Sequence, residues 1–273
     1  MDNKGTSRTI NKDIYVEMTR LWFEKHANYK SLNDAVAVVG ISGGKDSSVV
    51  AALLKEALGK DHVLGIMLPN GIQKDIQDSF DVCEFLQIRN WCINIGSSYN
   101  QLIAALENTG PSSIKWNYSE NPRVTTNLPA RLRMATLYAV AAQVNGRVIG
   151  TGNKSESLVG YYTLWGDGAC DFNPIADLYV DEVIELGRQL GLPDKFILKT
   201  PSDGMSGKSD EENLGFTYDD VKKFCELDES VKIGEGKWLE ISKKIKATQF
   251  KRNLTKIPHI EVYGNYSGFA NVG

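Results

Sequence analysis

The residues best suited to chemistry stand in one run, Gly40-Ile41-Ser42-Gly43-Gly44-Lys45-Asp46-Ser47-Ser48. Gly43 and Gly44 let the backbone approach a ligand and tolerate positive φ. If a helix follows, its first N–H groups are unpaired and its dipole favours an anion at the same spot. Ser42, Ser47 and Ser48 add hydroxyl donors, so the run reads as a phosphate cradle. A carboxylate at Asp46 among phosphate donors makes sense as a magnesium ligand, since Mg²⁺ takes one or two carboxylates plus phosphate oxygens. Two familiar motifs are excluded. A Walker A loop needs glycine where Val39 stands and Ser or Thr where Asp46 stands. The run Gly150-Thr151-Gly152-Asn153-Lys154-Ser155 lacks the third glycine of a dinucleotide fingerprint.

A second half of the site is suggested by Gly150 to Glu156. If its strand flanks the strand before the glycine-rich run, Thr151 and Glu156 face the cradle, Thr151 as a nucleotide contact and Glu156 as a second magnesium ligand. Ser155 and Glu156 read equally well as ordinary caps of a helix N-terminus. Upstream, Arg131 and Arg133 lie two apart on a helix and point to different faces, so at most one reaches a given ligand. Either suits a carboxylate or phosphate, and both read equally as surface arginines.

The elements that must position these groups follow from periodicity. Ala35–Ile41 and His62–Leu68 are short apolar runs of the kind buried on both faces of a sheet. Asn90–Ile95 and Arg147–Thr151 are further strands. Helices are expected around Ile10–Trp22, after Asp46, at 73–86, 98–106, 127–145 and 177–191. Strands alternating with helices predict parallel βαβ units in a doubly wound α/β fold. Residues 108–126 and 200–215 show no periodicity and are expected to be long functional loops, the second a lid.

The chain has 273 residues and a formal charge of −3, with ordinary globular composition. A near-neutral balance argues against a dedicated nucleic-acid binder. No apolar run is long enough for a membrane helix, and no secretory signal is visible. Cys83, Cys92, Cys170 and Cys225 form no C-x-x-C pair, which predicts thiols in a reducing cytoplasm and counts against sulfur-relay chemistry. His26, His62 and His259 lie outside every motif, and no nucleophilic triad is evident. Charge is uneven near the end: residues 202–229 carry nine acidic and three basic groups, and residues 230–256 eight basic and two acidic.

The S-G-G-x-D-S core of the loop resembles the pyrophosphate loop of the adenine-nucleotide α-hydrolase-like ATP pyrophosphatases. Within that group the likeness narrows. Asn127-x-x-Ala130-Arg131-x-Arg133-Met134, Gly150-Thr151-x-Asn153-x-Ser155-Glu156, Gly160-Tyr161-x-Thr163-x-x-Gly166-Asp167-Gly168 and Asn173-Pro174-Ile175-x-Asp177-Leu178-Tyr179 follow in the order seen in ammonia-dependent NAD synthetases. A final match, Leu214-Gly215-Phe216-Thr217-Tyr218-Asp219, extends the resemblance over about residues 36–218.

The resemblance implies a Rossmann-like three-layer fold: an ATP-pyrophosphatase core over about 31–200, a lid at 200–215 and a C-terminal helical extension at 216–273, all one domain. It implies a cytoplasmic homodimer that amidates nicotinic acid adenine dinucleotide with free ammonia, since no glutaminase unit is expected in this chain. ATP is the co-substrate and Mg²⁺ the cofactor. Gly40, Ile41, Ser42, Gly43, Gly44, Lys45, Asp46 and Ser47 would bind ATP, with Thr151 and Ser202. Asp46 and Glu156 would hold Mg²⁺. Arg131, Asp171 and Lys251 would contact the dinucleotide. Family lysines are replaced by Leu164 and Val180, and a histidine by Phe250. These departures leave open a related amide ligase acting on another carboxylate, or a nucleotide-binding paralogue without turnover.

Overall fold

The computed structural model describes residues 8–26, 34–109, 117–199, 210–226 and 236–252. The apolar runs become the strands β1 (Ala37–Gly40), β2 (Val63–Met67), β3 (Arg89–Cys92) and β4 (Arg147–Ile149). They form one parallel sheet in the order β3-β2-β1-β4. Successive side chains of a strand face opposite sides. Ala37, Val39, Val63 and Met67 accordingly enter one core, while Val38, Leu64 and Ile66 enter the other. Burial on both faces is what an unbroken apolar run predicts.

The helices are α1 (Lys12–His26), α2 (Lys45–Leu58), α3 (Ile76–Leu86), α4 (Gly96–Glu107), α5 (Pro122–Gln143), α6 (Lys154–Val159), α7 (Val180–Gln189), α8 (Asp194–Ile197), α9 (Asp210–Leu214), α10 (Tyr218–Glu226) and α11 (Lys237–Arg252). Phe23 of α1, Leu53 of α2, Val82 of α3, Leu186 of α7 and Ile197 of α8 pack on one face of the sheet. Val140 and Ala141 of α5 pack on the other, with Ile95. The result is the three-layer, doubly wound α/β fold expected. A third cluster, Val159, Phe216, Tyr218, Val221 and Ile241, ties α10 and α11 to α6. Among the described residues no helix is long and apolar enough to cross a membrane.

Three expectations change. The stretch 108–126 is not wholly irregular, because α5 starts at Pro122. Asn121 caps it, its side chain accepting the Arg123 N–H at 3.0 Å, with proline at the first helical position. The helix expected over 177–191 begins only at Val180, because the Tyr179 N–H is held by Glu182 Oε2 at 2.9 Å, while Asp177 stays outside and pairs with Arg8. Of the expected lid, residues 200–209 lie outside the described residues, and Asp210–Leu214 is helical.

The chain runs outward through β1, β2 and β3, then returns through α4 and α5 to place β4 on the far side of β1. Ligands in open α/β sheets bind beyond the carboxyl ends of the strands at such a switch point. Beyond β4, Phe172 makes a single parallel bridge to Ile149, so the segment carrying Asp171 extends the sheet by one position.

Candidate active site

Residues 41–44 leave the end of β1 and turn directly into α2, whose N-cap is Gly44. Serine hydroxyls fix the turn. Ser42 Oγ accepts the Gly44 N–H at 3.2 Å, and Ser47 Oγ accepts the Ser42 N–H at 3.3 Å. Ser47 and Ser48 each donate to the Gly44 carbonyl, at 3.1 and 2.8 Å. Two of the three expected hydroxyl donors therefore hold the loop itself. Gly43 has φ +76°, and a Cβ there would fall 2.8 Å from Asp78 Cβ and 3.0 Å from the Ser79 nitrogen. Glycine is needed both for that conformation and for the close approach to α3.

Across the switch point, β4 does lie beside β1, and the loop after it turns toward the cradle. Asn153, fully buried, joins the two halves. Its side-chain amide donates to Asp46 Oδ1 at 3.1 Å, and its carbonyl oxygen accepts the Glu156 N–H at 3.1 Å. In return the Asn153 N–H donates to Glu156 Oε2 at 2.9 Å, a reciprocal cap of α6. Both readings of this segment hold at once: Glu156 caps the helix and also lines the cavity. Burial, then the nearby Asp46, push its carboxyl well above the usual carboxylate range.

Lys45 is buried at 5% exposure, its ammonium 3.0 Å from Asp46 Oδ2. Burial opposes its charge, but Asp46 and Glu156 more than offset it and hold its pKa above the ordinary value. Asp210 of α9 also faces this group and is pushed up by burial, while Tyr218 OH donates to it at 3.3 Å. The C-terminal helices thus reach the mouth of the cradle.

Two connected cavities meet at these residues. The smaller, about 310 Å³, is lined by Ser47, Thr151, Asn153, Asp167 and Lys251. The larger, about 660 Å³, runs from Gly40 and the ends of β2 along α5 to Arg133, Met134 and Lys199. Ser42, Gly44, Asp46, Thr151 and Glu156 line both.

Of the residues singled out in the sequence, the structure brings together Gly40 to Ser47, Thr151, Glu156 and Lys251. Lys251 reaches the cavity of its own chain. Its ammonium donates to the Gly160 and Tyr162 carbonyls at 2.7 and 2.6 Å, which binds the end of α11 to the end of α6. Arg131 is not in either cavity lining; it is exposed, with Nε donating to the Leu164 carbonyl at 3.3 Å. Arg133, on the other side of α5, lines the cleft and donates to the Leu68 carbonyl at 2.9 Å. Asp171 also lies outside the cavities, its Oδ2 accepting the Val148 N–H at 2.8 Å and its Oδ1 the Tyr138 hydroxyl. Ser202 lies outside the described residues. Val180 packs against the third apolar cluster rather than lining either cavity.

Asn153, Asp167, Lys199 and Asp210 were missed as site residues. Asn153 and Asp167 sit inside quoted motifs, so only their roles were overlooked, whereas Lys199 and Asp210 carry no local signal. The Asp167 carboxyl, pushed up by burial, accepts the Thr163 N–H at 2.8 Å and lines both cavities.

The sequence profile of the family described as NAD synthase matches residues 16–255. The chain belongs to the NAD synthase family. An NH(3)-dependent NAD(+) synthetase of Carboxydothermus hydrogenoformans is 36% identical over 232 residues, 84% of this chain and 91% of that protein. Another, from Methanosarcina acetivorans, is 39% identical over 236 residues, 82% of this chain and 90% of that protein. Among solved structures, an NMN synthetase from Francisella tularensis superposes with TM-score 0.74 at 32% identity, covering 92% of this chain and all of that one. An NH3-dependent NAD synthetase from Campylobacter jejuni gives TM-score 0.65 at 32% identity, covering 93% of this chain and all of that one. Within this NAD synthase family member, the paired Asp46 and Glu156 fit a divalent cation by donor type. Two oxygen-donor carboxylates tied to one asparagine beside the glycine-rich loop would leave further positions of such a cation to other oxygen ligands and water.

Proposed function

We propose that this chain is an ammonia-dependent NAD synthetase, a ligase that forms a C–N bond. It would amidate nicotinic acid adenine dinucleotide at the expense of ATP. The observation that carries this reading is the meeting of Asp46 and Glu156, through Asn153, at the mouth of the Ser42–Gly44 cradle. The substrate carboxylate attacks the α-phosphorus of ATP, giving an acyl-adenylate and releasing pyrophosphate. Ammonia then attacks the acyl carbon, the amide forms and AMP leaves.

Residues Gly40 to Ser47 would hold ATP, with Thr151 and Ser202. The backbone N–H groups at the start of α2 offer donors where the pyrophosphate departs. Asp46 and Glu156 would hold Mg²⁺, which when bound neutralises phosphate charge as the pyrophosphate leaves. Ammonium must shed a proton before it attacks, and Asp167 in its ionised form, lining both cavities, is proposed as the acceptor. Arg131, Asp171 and Lys251 remain the proposed dinucleotide contacts, the first two reached beyond the cleft of a single chain.

The chain is proposed to act as one cytoplasmic domain, with α9 to α11 as its C-terminal extension, and as a homodimer. The edge of the sheet supports pairing: all four residues of β3, Trp91 among them, are exposed, as is Leu102 on α4. Edge strands of this kind are normally covered or blunted.

A second reading keeps the chemistry and changes the acid. Leu164 and Val180 replace family lysines, and the relative from Francisella tularensis is named for NMN rather than NAD. One assay separates these readings: ATP, Mg²⁺ and ammonium with either the deamido-dinucleotide or nicotinic acid mononucleotide, followed for amide, AMP and pyrophosphate. Equal yields of NAD, AMP and pyrophosphate are expected with the dinucleotide, and none with glutamine in place of ammonium. Turnover with the mononucleotide alone moves the assignment to the second reading. ATP binding without AMP release from either acid rejects both.

A further inference from the structure

Lys199 lies at the end of the segment that follows α8, at the rim of the larger cavity. It forms ion pairs with Asp75, at 3.2 Å, and with Asp78. Asp78 is the residue on which Gly43 packs, so this ammonium stands one side chain away from the phosphate cradle. It shares the cavity with Ser42, Gly44 and Asp46. The other cations of that cavity are committed elsewhere: Lys45 is buried against Asp46, and Arg133 donates to Leu68. Lys199 is only half-buried, and a lysine stem has four rotatable carbons, so its ammonium can exchange partners.

We propose that Lys199 is a pyrophosphate-contacting residue of the ATP site, held poised by Asp75 and Asp78 and transferred to the terminal phosphates when ATP binds. This rests on the reading of the loop as an ATP cradle. A carboxylate–ammonium pair is exchanged for a phosphate–ammonium pair, so no charge is left bare on the lysine.

The test is titration calorimetry of ATP, inorganic pyrophosphate and AMP, with Mg²⁺, on four proteins: wild type, Lys199→Gln, the pair Asp75→Asn with Asp78→Asn, and the triple variant. Loss of a charge-assisted bond predicts roughly tenfold weaker ATP and pyrophosphate binding in Lys199→Gln, with AMP unchanged. The asparagine pair frees the ammonium and is expected to bind ATP more tightly than wild type. The decisive comparison is the double-mutant cycle, which isolates coupling between the lysine and its carboxylates. If Lys199 touches phosphate, the tenfold loss persists when glutamine is introduced beside the two asparagines. If Lys199 only bridges α3 and neutralises its carboxylates, the loss vanishes in that background, and the proposal is overturned. An equal loss for AMP overturns it too. A wild-type chain that binds neither ATP nor pyrophosphate removes the ATP-site reading together with this one, whereas wild-type binding matched by Lys199→Gln removes Lys199 alone.

Discussion

Asn153 is the residue whose replacement tests the site most directly. It is fully buried and makes three bonds, two that cap α6 through Glu156 and one that crosses the cleft to Asp46. Asn153→Ala removes the N-cap of α6, which costs about 1 kcal/mol. It also removes the amide donor to Asp46 Oδ1, a bond to a charged acceptor contributing about 1.5–3 kcal/mol. The sum is a loss of about 2.5–4 kcal/mol of stability, or roughly 5–15 °C in melting temperature for a chain of this size. Asn153→Ser separates the parts, because a serine hydroxyl still caps the helix while Asp46 loses its donor. Asn153→Asp retains the cap and sets a third carboxylate against Asp46 and Glu156. That carboxyl gains a raised pKa in the folded state, so stability is lost as pH rises through it and regained in acid. Mg²⁺ is expected to restore stability to this variant at neutral pH.

Urea denaturation followed by circular dichroism, with and without Mg²⁺, reads all three variants. A cost below about 1 kcal/mol for the alanine variant would mean that Asn153 is not the strut between the carboxylates. An aspartate variant as stable as wild type at neutral pH and indifferent to Mg²⁺ would mean that Asp46 and Glu156 do not form a cation site.

Gly43→Ala forces a β-carbon against Asp78 and the Ser79 backbone at φ +76°, so ATP affinity measured by calorimetry is expected to fall at least tenfold. Asp167 is pushed up by burial, so its charged form is disfavoured in the folded chain and stability falls as pH rises from the ordinary carboxylate range through the raised value. Asp167→Asn is therefore expected to melt higher than wild type at neutral pH, to converge with it in acid, and to lose amide-forming turnover; a variant that keeps full turnover removes Asp167 from the chemistry. Restoring the family lysine by Val180→Lys is expected to lower the melting temperature without tightening ATP, because Val180 packs with Val159, Phe216 and Ile241 and does not line the cleft.

The sheet was legible because a parallel strand buried on both faces writes an unbroken apolar run, as in residues 35–41 and 62–68. Only the ends moved, by one to three residues and most at β3, which stops at Cys92 rather than Ile95, since strand termini are set by pairing register rather than by side-chain type. The start of α5 was also written in the sequence, as Asn121-Pro122, but its first turns are polar and show no apolar stripe. The choice between Arg131 and Arg133 was not legible. Helical spacing says that they diverge, yet which face meets the cleft depends on how α5 lies across the sheet. Lys199 was invisible for a stronger reason: its partners stand 124 and 121 residues earlier, and no local pattern encodes a meeting made only by the fold.

The charges of the larger cavity bear on the need for a metal. Among the described residues it is lined by three cations, Lys45, Arg133 and Lys199, and five carboxylates, Asp46, Asp75, Glu156, Asp167 and Asp210. Such a cleft repels a polyanion before any contact is made. Burial works against that repulsion, because Glu156, Asp167 and Asp210 all sit where their charged forms are disfavoured. ATP entry would be favoured if positive charge came with it, or if cations already present turned from carboxylates to phosphates. Mg²⁺ carried on the nucleotide would meet the first condition, with Asp46 and Glu156 as its protein ligands. Lys199 turning from Asp75 and Asp78 would meet the second. On this proposal the excess of carboxylates, which looks hostile to a nucleotide in isolation, would favour the metal complex of ATP over the bare nucleotide, and calorimetry of ATP with and without Mg²⁺ would read that preference as tighter binding in the presence of the metal.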